Sequence, residues 1–74
     1  MTTLDKVQKG KTVEVVNVTG LGTPLRRRLL DLGLTPKTKL TFVRSAPLGD
    51  PIEIKVRGYE LTIRRDDAKL VEVK

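Results

Sequence analysis

The stretch Ala46-Pro47-Leu48-Gly49-Asp50-Pro51 runs straight into Ile52-Glu53-Ile54-Lys55-Val56, and it limits the fold more than any other part of the chain. Two prolines fix φ at two points, and a glycine permits a bend between them. Asp50 precedes a proline and is held towards an extended conformation. A stiff connector therefore delivers the chain into a strand. In that strand Ile52, Ile54 and Val56 share one face, and Glu53, Lys55 and Arg57 share the other. Pro, Gly and Asp are also the ordinary residues of a tight turn, so the hexapeptide alone implies only that much.

The rest of the chain supplies the partners for that strand. Thr12 to Val18 is rich in β-branched residues and predicts a first strand. Val13 and Val15 share one face while Val16 and Val18 share the other, a pattern that a bulge or burial on both sides reconciles. Thr23-Pro24 starts a helix, with a hydroxyl at the N-cap and proline at the first helical position. Gly33 and Pro36 end it, so the helix covers residues 23–32. Lys39 to Ser45 predicts a second strand. Arg57-Gly58-Tyr59 turns Ile52–Val56 back into Glu60–Arg64 as a hairpin, with Leu61 and Ile63 inward. Asp66-Asp67-Ala68 predicts a single short turn capped by Asp66, and Leu70 to Val73 a last strand. Five short strands in 74 residues favour a small barrel, because closure removes exposed edges. The expected architecture is mainly β: one domain, an SH3-like barrel with one helix inserted after the first strand.

Composition removes most chemistry. The chain has no cysteine and no histidine, so it has no disulfide, no thiolate metal site and no histidine base. Ser45 is the only serine and has no histidine to activate it. Iron and zinc sites ordinarily use histidine or thiolate, and only carboxylates are offered here. No enzyme activity, cofactor, metal site or small-molecule substrate is expected. No apolar run approaches the roughly 20 residues of a membrane span. The first residues lack the apolar segment of a signal peptide, which predicts a cytoplasmic protein. A net charge of +6 favours acidic partners, although most lysines are interleaved with the nine acids. A basic small barrel could bind nucleic acid. Phe42 and Tyr59 are the only aromatics, however, and stacking platforms need more.

The helix carries the clearest candidate for a contact surface. At about 100° per residue, Leu29 and Leu32 stay within about 40° of Leu25, while Leu30 falls about 140° away. Arg26 and Arg27 lie on the outward side and Arg28 borders the leucine stripe. Leu30 among guanidinium groups is the pattern of an interface anchor. The alternative is Leu30 packed beneath residues 34–36, with the arginines solvated. Leu48, at the tip of the connector, is a second candidate apolar contact. Exposed leucines on a small barrel would also support self-association.

Three blocks, in order, add a further reading: Arg27-Arg28-Leu29-Leu30-Asp31-Leu32-Gly33-Leu34-Thr35-Pro36, then the Ala46–Pro51 connector, then Gly58-Tyr59-Glu60-Leu61-Thr62-Ile63-Arg64-Arg65-Asp66-Asp67-Ala68. Together, from about Leu4 to Val73, the chain resembles the FeoA family, small cytosolic partners of the bacterial ferrous-iron transporter FeoB. The resemblance implies the same barrel, and a non-catalytic accessory role in which the domain docks on a FeoB-like membrane GTPase and regulates or assembles it. Its docking role carries over to Leu25, Arg27, Arg28 and Leu30 in the matching block. Arg64 and Arg65 match the family's arginine after the last hairpin strand; their structural alternative is pairing with Asp66 or Asp67. Two positions depart from the family pattern. Lys37 stands where glycine is common after the proline, and Thr62 where a small residue is common. A positive φ at Lys37 would be uncomfortable for lysine.

Overall fold

The computed structural model describes residues 1–74, in the order β1 (Thr2–Thr3), a 3₁₀ turn, β2 (Thr12–Val18), α1 (Pro24–Asp31), β3 (Lys39–Ser45), a second 3₁₀ turn, β4 (Ile52–Val56), β5 (Tyr59–Ile63), α2 (Arg65–Ala68) and β6 (Val71–Val73). All pairings are antiparallel, and the strand order is β1-β6-β2-β3-β4-β5. β2 makes the corner of the barrel. Its first half, Thr12–Glu14, pairs with β3, and its second half pairs with β6. The register shifts between Val15 and Asn17, so of the two alternatives, a bulge or burial on both sides, the strand takes the bulge, which turns it from one neighbour to the other. β1 and β5 are left as the two ends of a half-closed barrel. There are six strands rather than five, because Thr2–Thr3 adds a short pairing to Val73 and Glu72.

Fourteen apolar side chains fill the interior and no polar residue is buried with them. Ile52, Ile54 and Val56 all point inward, as their alternation requires, facing Leu40 and Phe42 from β3. Burial of each such side chain is worth about 1.5–3 kcal/mol, and in so short a chain that sum has little surplus. The connector follows its composition: Asp50 is extended (φ −152°, ψ 135°) before Pro51, and Gly49 takes a positive φ. The β4–β5 hairpin closes on Arg57 and Gly58, both with positive φ, the geometry of a two-residue loop that matches strand twist.

The loop after α1 adopts the conformation that its sequence makes costly. Lys37 has φ 73°, and its N–H donates to the Val15 carbonyl at 2.7 Å. Arg57 braces the same loop, donating from Nη2 to Thr35 Oγ1 and Thr38 Oγ1, each at 3.2 Å. A left-handed conformation costs a non-glycine residue about 1–2 kcal/mol. Glycine would remove that cost but leave the unfolded chain freer by about 0.4–1 kcal/mol. Lys37→Gly is therefore expected to raise the melting temperature by a few degrees in a thermal unfolding scan. An unchanged or lower midpoint would show that the lysine is not strained.

Candidate functional site: a groove between α1 and the β5 edge

α1 is set on the barrel by its own end signals. The Thr23 hydroxyl accepts from the Arg26 N–H at 3.3 Å and donates to the Gly20 carbonyl at 2.6 Å. Leu29 is the one fully buried residue of the helix, and Leu25 and Leu30 pack half-buried against the core. Two further bonds fix its position. Arg26 Nε donates to the Val18 carbonyl at 2.8 Å, and the Tyr59 hydroxyl donates to the Leu32 carbonyl at 2.6 Å. At Gly33 (φ 101°) a Cβ would come within 3.3 Å of that Tyr59 hydroxyl, so the close approach of helix and strand needs glycine there.

Between α1 and the far end of β5 lies a groove of about 480 Å³. The helix lines it with Leu25, Arg28, Leu29 and Leu32. Thr62, Ile63 and Arg64 form the opposite wall, with Pro51 at the end of the connector and Asp67 from α2. Two guanidiniums against one carboxylate give the lining a net positive charge. Neither Arg28 nor Arg64 is paired with a carboxylate. Free guanidiniums beside the half-buried Leu25 and Leu32 are suited to an acidic group that carries an apolar neighbour.

The structure brings together only some of the residues singled out by sequence. Leu25, Arg28 and Arg64 line the groove. Arg27 does not; it forms an exposed ion pair with Asp31 at 3.5 Å, an i,i+4 contact of little energetic weight. Leu30 is half-buried against the core rather than displayed outward, and Arg26 is turned back onto β2. Leu48 stands fully exposed in a left-handed conformation (φ 74°, ψ 7°), outside the groove lining. Leu29, Leu32, Pro51, Thr62, Ile63 and Asp67 were not anticipated as site residues. Leu29 and Leu32 had a local signal, lying four and seven residues from Leu25 on one helix face; the rest are joined to α1 only by the barrel's closure.

Arg64 and Arg65 have different tasks, and neither pairs with Asp66 or Asp67. Asp66 faces Lys69 instead, at 3.2 Å. Arg65 Nε donates to the Gly49 carbonyl at 2.8 Å, and Nη1 donates to the Asp5 carbonyl. The expected cap by Asp66 is replaced by a distant one: Asp50 Oδ1 accepts from the Arg65 N–H at 2.9 Å, with Arg64 at the N-cap position of α2. Arg65 thus binds the connector, α2 and the first 3₁₀ turn together, and leaves Arg64 free at the groove.

The chain is thus a small half-closed β-barrel with a helix beside its β5 edge and a basic groove between the two. Residues 2–74 match the FeoA domain, and the chain belongs to that family. It is 34% identical over 70 residues to a fusion protein of Fe(2+) transport protein A and the Fe(2+) transporter FeoB from Porphyromonas gingivalis. The match covers 95% of this chain but spans only 8% of that much longer relative. The FeoA-like protein of Clostridium acetobutylicum superposes with a TM-score of 0.91 at 32% identity, covering 99% of this chain and 84% of that one. FeoA of Stenotrophomonas maltophilia, solved with zinc and described as a prokaryotic SH3 domain protein, superposes at 0.89 with 26% identity, over 100% of this chain and 91% of that one. The fold is accordingly the SH3-like barrel expected from the order of elements.

Proposed function

We propose that this chain is a non-catalytic accessory protein of ferrous-iron transport. It docks through the α1–β5 groove on the cytosolic part of a FeoB-like transporter and regulates or assembles it. The observation that carries this reading is the convergence of Leu25, Arg28 and Arg64 on one groove with no carboxylate paired to either arginine. The P. gingivalis relative supports the choice of partner, because there a similar domain is joined covalently to FeoB. A linker holds two domains at an effective concentration near millimolar.

No three histidine, cysteine or carboxylate side chains gather in this chain. In this reading the ion stays with the transporter, and the domain acts on the protein that moves it. Nucleic-acid binding is the weaker reading: Phe42 is buried, and the Tyr59 hydroxyl is committed to α1, which leaves no pair of free aromatic rings for stacking.

Titration of the isotopically labelled chain with the soluble cytosolic part of the same cell's FeoB-like protein, with and without a GTP analogue, tests the proposal. Amide shifts centred on Leu25, Arg28, Thr62 and Arg64 are the expected result, and nucleotide dependence would tie docking to the GTPase cycle. Absence of shifts at high micromolar concentration would overturn it.

A further inference from the structure

One wall of the groove is backbone as well as side chain. β5 ends the sheet, and no strand of this chain pairs with its outer edge. The two-residue loop at Arg57-Gly58 decides which groups face outward. In such a hairpin the residues flanking the loop exchange both hydrogen bonds, and bonded and non-bonded pairs then alternate. Tyr59, Leu61 and Ile63 are therefore bonded inward, opposite Val56, Ile54 and Ile52. Glu60 and Thr62 direct N–H and C=O away from the sheet. Arg64 continues the row with its N–H alone, which donates to no group in the chain, while its carbonyl accepts from the Ala68 N–H at 3.0 Å.

Exposed edges are ordinarily blunted by shortness, lysine, proline or a bulge. The other end of the sheet follows that rule: β1 is two residues long. β5 does not. It has five residues without lysine or proline, and its register with β4 is unbroken from Ile52↔Ile63 to Val56↔Tyr59. α1 closes over the Tyr59 end through the bond to the Leu32 carbonyl. The Thr62–Arg64 end opens into the groove, next to Arg28.

We propose that the free edge of β5 is a strand-addition site for an extended, acidic segment of the docking partner. The segment pairs with Glu60–Arg64, sets an apolar side chain between Leu25 and Leu32, and sets a carboxylate against Arg28 and Arg64. Successive side chains of an added strand point to opposite sides, so the recognised pattern has its apolar and acidic residues at every second position. Charge selects the acidic class: both groove arginines are unpaired and the chain carries +6 overall. A second copy would set Glu60 opposite Arg64 in an antiparallel pairing centred on Thr62, but two chains that each carry +6 repel one another. This inference rests on the docking proposal and adds the form of the bound segment.

The test is amide hydrogen exchange of the labelled chain, alone and saturated with the cytosolic part of the transporter. Strand addition predicts exchange at Glu60, Thr62 and Arg64 slowed by about tenfold or more on binding. Thr62→Pro removes only an outward N–H, which an edge strand tolerates, and is expected to weaken binding about tenfold, the equivalent of one good hydrogen bond. The exchange measurement on the unaltered chain stands even if that variant folds poorly. Binding with shifts on α1 but unchanged exchange at these three amides overturns strand addition and leaves docking intact. No binding at all overturns both. Protection that rises with the concentration of the chain alone assigns the edge to a second copy and also overturns the inference.

Discussion

Leu29→Ala is expected to remove a large fraction of the stability of this domain. Leu29 is 1% exposed and is the only side chain that α1 buries completely. Truncating a buried leucine to alanine costs about 2–5 kcal/mol, from lost transfer energy plus the cavity left behind. A domain of this size has roughly 4–11 kcal/mol in all. Each kcal/mol moves the midpoint of a small domain by about 4–8 °C, so a fall on the order of 15 °C follows. The loss falls on the helix that forms one wall of the groove. Exchange of the α1 amides should therefore rise more than exchange of the β3–β4 amides in the surviving folded population. Calorimetry with exchange checks this; a midpoint within a few degrees of the parent would mean that α1 is not anchored through Leu29.

Arg65→Met is expected to cost about 2–3 kcal/mol, the range for losing hydrogen bonds from a charged donor. Methionine keeps the apolar stem and removes the guanidinium. The Gly49 and Asp5 carbonyls then lose their donor, while the Arg65 N–H can still reach Asp50. Unlike Leu29→Ala, this change should loosen the connector first. Exchange at Gly49, whose N–H donates to the Ala46 carbonyl at 2.8 Å, is the local reporter. Equal destabilisation with no local change at Gly49 would contradict the bracing role. The comparable substitution Arg64→Met should leave stability nearly untouched, because Arg64 bonds to nothing within the chain through its side chain and surface changes of that kind fall within about 0.5 kcal/mol.

These residues also mark how far the sequence could be read. Thr23, Pro24 and Gly33 act on their own few neighbours, so the helix ends were legible to within one residue. The conflict between Val13/Val15 and Val16/Val18 pointed to either a bulge or burial on both sides, and only the paired neighbours β3 and β6 decide for the bulge. Alternation likewise placed Ile52, Ile54 and Val56 inside. The missing parts depend on closure. Thr2–Thr3 is too short to show a period, and its partners lie at the other end of the chain. Asp66 had the local signature of a cap, yet the bond was taken by Asp50, which only the folded connector brings near. Leu30 was placed by helical angle alone, a calculation that does not include the surrounding barrel; the core covers part of it. In the groove, Leu25 and Arg28 were legible as helix-face residues. Pro51 and Thr62 were not, because no local pattern states which strand edge a helix will face.

We propose that docking depends on the unpaired guanidiniums of the groove, and the decisive measurement is the affinity of Arg28→Glu for the cytosolic part of the FeoB-like transporter, beside the parent chain and Arg27→Glu. Arg28 makes no hydrogen bond or ion pair within the chain, so its reversal should leave the fold intact. At least about a tenfold loss is expected for Arg28→Glu, the scale of a removed charged contact at an interface. A much smaller loss is expected for Arg27→Glu, which lies outside the groove. Equal affinities for the parent and Arg28→Glu, or a loss confined to Arg27→Glu, would contradict that dependence.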